Sequence, residues 1–303
     1  LAFGFGYPLF AAYSPLSYYP PAVLSLLGPG ILTSLKVDLA ALCIACAVSA
    51  YYAARSVSGR WGGLVAAASY ACAPYTLANA YVRLDLAELS TFPLTALIAG
   101  GLIRLMVQAE RGKLAWSSES VRAVVVTAVP LTLLPLTHSL STFGFMPTLV
   151  ALSLAIVAGS VRAGRARAGG AAAVAVGSLA LGLSAWYMLP ALQWQGWLRL
   201  SQVGTDSHFL PKLLDVSGLL SARSGWGAAD WFGPGGRRWF FSLAPGNYGE
   251  LPASPSFVAL AAAAAAVVAA IVTRSSKLRL TIALAAAAWL SLWLATTWSR
   301  GIW

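Results

Sequence analysis

Eight apolar runs of membrane-spanning length follow one another along this chain. They cover roughly residues 37–54, 62–80, 89–108, 122–137, 142–161, 171–192, 255–273 and 279–298. A helix needs about 20 apolar residues to cross the hydrocarbon core of a bilayer. No water reaches that core to satisfy backbone N–H and C=O groups, so each run must satisfy its own as a helix. Of the 303 residues, 59% are hydrophobic and only 10% are charged, against ~25% charged in a soluble domain. That balance excludes a soluble globule, a disordered tail, a coiled coil and a disulfide-built module. The expected fold is all-α: a polytopic integral membrane bundle with about eight transmembrane helices.

The charges orient the bundle. The formal net charge is +11, which in a soluble protein would suggest nucleic acid. Here the basic residues follow the connections instead. Arg55 and Arg60, then Arg104, Arg111, Lys113 and Arg122, then Arg162, Arg165 and Arg167, then Arg274, Lys277 and Arg279 make twelve cations on alternate connections, with two acids, Glu110 and Glu119. The other connections hold eight cations and seven acids. Short loops rich in Arg and Lys stay in the cytoplasm. The N-terminal stretch, the YVRLDLAEL connection, the Thr137-His138-Ser139 turn and the long loop 193–254 are therefore expected outside, and no nucleic-acid partner is expected.

Four regions follow. Residues 1–30 carry Pro8, Pro15, Pro20, Pro21 and Pro29 among several tyrosines, which suits an extracytoplasmic loop with short interfacial helices. Residues 31–192 form a membrane bundle of six helices, with Pro130 and Pro135 set to kink the fourth. Residues 193–254 form an extracytoplasmic loop rich in aromatic residues and glycine, and residues 255–303 hold helices seven and eight. An outward N-terminal stretch with no span before it, starting at Leu1 rather than Met, suggests a fragment lacking upstream sequence. The SRGIW ending, straight after an apolar run, suggests the same downstream.

Charges beside spans are expensive and usually have partners or tasks. The densest outward group is Tyr81-Val-Arg83-Leu-Asp85-Leu-Ala-Glu88. If this stretch is helical, Asp85 and Glu88 share a face with Tyr81 one turn earlier. If it is extended, Arg83 and Asp85 share a face. A carboxylate here could act as general base toward a hydroxyl, two together could hold a divalent cation, and Arg83 could clamp a phosphate. The bland alternative is an interfacial turn with a local salt bridge. His138, among Thr137, Ser139, Ser141 and Thr142, either binds phosphate, a metal or a proton at the outer surface or simply closes a tight helical hairpin.

The long loop offers Trp194, Trp197, Trp226, Trp231 and Trp239, the adjacent Arg237 and Arg238, and Asp206-Ser207-His208. Aromatic faces stack on sugars or lie at the lipid interface, and paired arginines suit a lipid phosphate. Lys36 and Asp38 at the outer end of the first run pair with each other or with headgroups. Cys43 and Cys46 match C-x-x-C but lie in an apolar helix without a redox-fold context, so a structural role is the better reading. The chain contains no nucleotide-binding glycine loop, no H-E-x-x-H and no G-x-S-x-G, and no metal-ligand set is assigned.

Several stretches together carry a resemblance. GFGYPLFAAYSPLSYYPPAVLSLLG, YVRLDLAELSTFPL, LPLTHSLSTFGFMP, LGLSAWYMLPAL and FSLAPGNYGELPASPSFVALAA resemble segments of bacterial and archaeal polytopic proteins described as 6-pyruvoyl-tetrahydropterin-synthase-related. Those proteins are similar to glycosyltransferases of the GT-C superfamily. The resemblance implies a transferase of the cell envelope, or a noncatalytic relative, that uses a polyprenyl-phosphate-linked sugar at the outer face of a prokaryotic plasma membrane. It implies membrane lipid as a further partner and leaves room for a divalent cation. GT-C enzymes usually keep their key acid in the first outer loop, and residues 1–30 contain neither Asp nor Glu. Asp85 and Glu88 then take the catalytic role. Arg83, His138, Arg237, Arg238, Tyr81 and His208 take the lipid-phosphate and substrate. The rivals are a transporter or flippase of lipid-linked saccharides and a structural membrane subunit. A transporter should carry ionisable groups at mid-membrane, often in paired halves. The spans are nearly free of acids at their centres and show no internal repeat.

Overall fold

A computed structural model describes residues 13–194 and scattered positions between 264 and 290. Among the described residues the regular secondary structure is all helical, with no strand. After a short 3-10 turn at Leu16–Tyr18 come α1 (Tyr19–Leu26), α2 (Ile31–Ala71), α3 (Pro74–Ala78), a π-helical turn (Asn79–Arg83), α4 (Leu86–Glu110), α5 (Ser118–Thr137), α6 (Ser139–Arg162) and α7 (Ala166–Trp194). Five of these, α2, α4, α5, α6 and α7, are long and apolar enough to cross a membrane. The first two apolar runs share α2. The described positions in the seventh and eighth are helical.

The described chain falls into two units, one holding residues 13–71 and 85–194, the other Cys72–Leu84 with the described positions past 264. In the first unit α2 is two arms rather than one rod. Gly59 sits at φ 74°, a conformation open to glycine at little cost. Beyond it the chain folds back: a Cβ on Gly63 would lie 2.8 Å from the Tyr51 ring, although a straight helix would set residues twelve positions apart about 18 Å from each other. Arg55 and Arg60 therefore stand at the tip of a hairpin. The second apolar run is interrupted after Ala71, and Pro74 opens α3 at a position where its missing N–H costs nothing.

α4 is the central element, and two consecutive glycines let its neighbours close in. A Cβ on Gly100 would lie 2.8 Å from Ala53 Cα in the first arm of α2, and one on Gly101 would collide with the Thr127 side chain of α5. Small residues at helix crossings replace the hydrophobic drive that lipid cannot supply. Around them Leu89, Ile98, Leu102, Leu105 and Met106 of α4 are fully buried with Leu134 of α5 and Leu152 and Ile156 of α6. α5 runs antiparallel to α4. Gly101 meets Thr127, and seven residues further along α4 Gln108 Oε1 accepts the Ser120 hydroxyl at 2.8 Å. Gly159 of α6 lies against Ala109 and Glu110 at the end of α4, and Gly169 of α7 packs on Ser160 of α6.

This up-and-down arrangement sorts the charges in space. One end of the unit holds Arg55, Arg60, Arg111, Lys113, Arg122, Arg162, Arg165 and Arg167, with Trp61 and Trp116 exposed beside them. The other end holds the head of α4, the α5–α6 joint and the turn Leu16–Tyr18.

Candidate functional site

The head of α4 begins with a cap. Asp85 lies outside helical geometry (φ −81°, ψ 83°), and its Oδ1 accepts the Glu88 backbone N–H at 3.0 Å. Four N–H groups at a helix start have no partner within the helix, and an Asp side chain satisfies one of them. The sequence allowed two readings of this stretch, a helix with Asp85 and Glu88 on one face or a strand pairing Arg83 with Asp85. The structure is neither. Leu84 takes a positive φ of 50°, which a branched side chain adopts only at a cost. That residue separates the π-helical turn from the cap. Asp85 therefore turns back along the helix start, while Glu88, half-buried, contributes its backbone N–H to the cap.

The α5–α6 joint is a single residue. His138 is extended (φ −158°, ψ 109°) and ends one helix while capping the next. Its N–H donates to Leu134 O at 3.0 Å. Its Nδ1 accepts the Ser141 backbone N–H at 3.3 Å and lies 2.7 Å from Ser141 Oγ. A ring nitrogen that accepts from an amide carries no proton, so the neutral ring keeps its proton on Nε2. His138 is thus a cap on one side and an N–H donor on the other. The antiparallel register of α4 and α5, continued upward, brings His138 level with Ser90. That is within one helical turn of Glu88 along the bundle axis.

The N-terminal turn lies over the same end. Ser14 Oγ donates to Pro135 O at 2.8 Å, filling one of the carbonyls that the end of α5 leaves without a helical donor. Tyr18 follows. Burial first, then Tyr13, then the Asp85 carboxylate hold its phenol above the usual 10.0, which places the hydroxyl within electrostatic reach of Asp85.

The second unit positions the remaining residues of the YVRLDLAEL segment. The Arg83 guanidinium donates to Asn79 Oδ1 at 2.9 Å and to Tyr75 OH at 3.1 Å, and it lies over the Tyr75 ring, 6.0 Å from its centroid. Asn79 is fully buried and donates to Tyr75 O at 3.3 Å, so the exposed Arg83 is held by two neighbouring side chains. Tyr81 is 70% exposed. His208, Arg237 and Arg238 lie outside the described residues. Among the described residues no three His, Cys, Asp or Glu side chains come together in a set able to hold a metal ion.

The structure thus joins Asp85 to Glu88, sets His138 at the same end of the same unit, and adds Ser14 and Tyr18, which sequence reasoning passed over. Ser14 carried no signal, because its partner is 121 residues away. Comparison with family models, curated proteins and solved structures gives no match to this chain.

Proposed function

We propose that the protein is a GT-C-like membrane glycosyltransferase, or a noncatalytic relative of one. In this reading it takes its sugar from a polyprenyl-phosphate-linked donor at the outer face of the prokaryotic plasma membrane. One observation supports it: Asp85, Glu88 and His138 lie at the same end of membrane-length helices, and the arginines collect at the other. Since basic connections stay in the cytoplasm, the Asp85 end faces out.

The chemistry divides among residues already placed. Glu88 accepts the proton of an acceptor hydroxyl as its oxygen attacks the anomeric carbon. The bond from that carbon to the donor phosphate breaks, and the electron pair leaves with polyprenyl phosphate. The Nε2–H of His138 donates to a phosphate oxygen and stabilises charge developing there. Asp85 orients the head of α4 through its cap. From the resemblance alone, Arg83, Arg237, Arg238, His208 and Tyr81 are the residues proposed for the lipid phosphate and substrate. Two carboxylates alone do not complete a divalent-cation site, and no step is assigned to one.

Reconstitution into liposomes tests the reading. With a polyprenyl-phosphate-linked sugar and an acceptor supplied, new sugar on the acceptor supports a transferase. Labelled donor that crosses between leaflets with no new bond sinks it in favour of a flippase.

A further inference from the structure

The stretch from Cys72 to Leu84 leaves regular α-helical geometry repeatedly. The helix breaks at Cys72 and Ala73, a π-helical turn runs over Asn79–Arg83, and Leu84 takes a positive φ of 50°. Backbone of this kind costs free energy, and it gathers where surrounding structure holds functional side chains in set positions.

Within this stretch a buried amide ties two turns together. Asn79 is 0% exposed. Its Nδ2 donates to Tyr75 O at 3.3 Å, and its Oδ1 accepts Arg83 Nη1 at 2.9 Å. Asn79 therefore binds the backbone four residues back and the guanidinium four residues on. The Tyr75 hydroxyl accepts from the same Nη1 at 3.1 Å. Arg83 itself is exposed. A long basic side chain at a surface ordinarily samples many rotamers, but here a buried neighbour holds the head group. Neither Asn79 Oδ1 nor the Tyr75 hydroxyl is charged, so these two contacts orient the guanidinium without cancelling its charge. Asp at position 79 would have nearly the same shape and would cancel it. A guanidinium oriented in this way offers a preset fork of donors to an oxyanion such as phosphate.

We propose that Asn79 and Tyr75 are positioning residues that hold Arg83 ready for the phosphate of the polyprenyl-linked donor, an inference that rests on reading Arg83 as a ligand of that phosphate. Asn79 and Tyr75 act through Arg83. They raise affinity because the guanidinium is ordered before the donor arrives.

The test measures affinity for polyprenyl monophosphate and for uncharged polyprenol, by native mass spectrometry of the purified protein in detergent micelles. The wild type should bind the phosphate more tightly than the alcohol. Arg83→Gln should weaken phosphate binding about tenfold, the loss of a charge-assisted hydrogen bond, and leave polyprenol binding unchanged. Asn79→Ala and Tyr75→Phe should each weaken phosphate binding, and Asn79→Asp should weaken it at least as much as Asn79→Ala. In the Arg83→Gln background neither Asn79→Ala nor Tyr75→Phe should weaken it further, a coupling that a merely structural role would not produce. Tyr75→Phe keeps the ring and carries the test if Asn79→Ala does not fold. Phosphate binding by Arg83→Gln at the wild-type affinity would overturn the reading of Arg83 and this inference with it. Weakening in Arg83→Gln, with wild-type binding in Asn79→Asp and Tyr75→Phe or with losses that add to that of Arg83→Gln, would overturn the positioning role alone.

Discussion

The Asp85 carboxylate accepts the Glu88 backbone N–H at 3.0 Å, so two acids three residues apart do different work. Asp85 is a helix cap, and Glu88 is the candidate for proton transfer. Substitution should separate them. Asp85→Ala loses the cap, about 1 kcal/mol of stability, whereas Asp85→Asn keeps it because Asn caps about as well. Thermal unfolding in micelles measures both; equal loss in the two variants would assign the effect to charge instead.

Tyr18 gives a pH-dependent check on the same end. Its phenol is raised by burial, by Tyr13 and by Asp85, in that order. A raised phenol adds stability below its unfolded value, ordinarily 10.0, and that stability is lost as pH rises through the folded value. Asp85→Asn removes the smallest of the three causes, so tyrosinate should form at a slightly lower pH. The difference absorbance spectrum against Tyr18→Phe measures it. No movement would separate the two residues.

Gly101 faces the Thr127 side chain with no room for a Cβ. Gly101→Leu must push α4 and α5 apart or distort them, a cost of about 1–3 kcal/mol or more. Gly144, where a Cβ would meet nothing within 4 Å, provides the control, and Gly144→Ala should cost nothing by sterics. Urea or detergent denaturation that ranks them the other way would contradict the packing described.

Gln108 and Ser120 fasten α4 to α5 near the arginine-rich end. The Ser120 hydroxyl donates to Gln108 Oε1 at 2.8 Å, and Gln108 Nε2 is already buried without a partner among the described residues. Ser120→Ala leaves the second polar atom of that amide unpaired, at about 1–3 kcal/mol. Gln108→Leu removes both atoms and should be milder. Unfolding midpoints of the two variants decide the order.

Much of this was legible in the sequence because lipid imposes so simple a rule. An apolar run of nearly twenty residues has to be a helix, and alternating arginines mark its ends, which is how α4 to α7 could be placed. The Asp85–Glu88 spacing was visible too, but reading it as a face missed the cap, although Asp before an apolar run with Glu three later is a helix-start signature. The Gly59 hairpin was half visible as a basic connection. Contacts between distant residues carried no such signal. Arg104 reaches Tyr52 across 52 positions, and nothing in either local run announces the pair.

Sugar transfer by the reconstituted protein, compared between the wild type and Glu88→Gln, tests the central claim most directly. The account predicts transfer by the wild type, a loss of about 10²–10⁴-fold in Glu88→Gln, and a folded variant with an unchanged unfolding midpoint. Transfer at the wild-type rate by Glu88→Gln would contradict it.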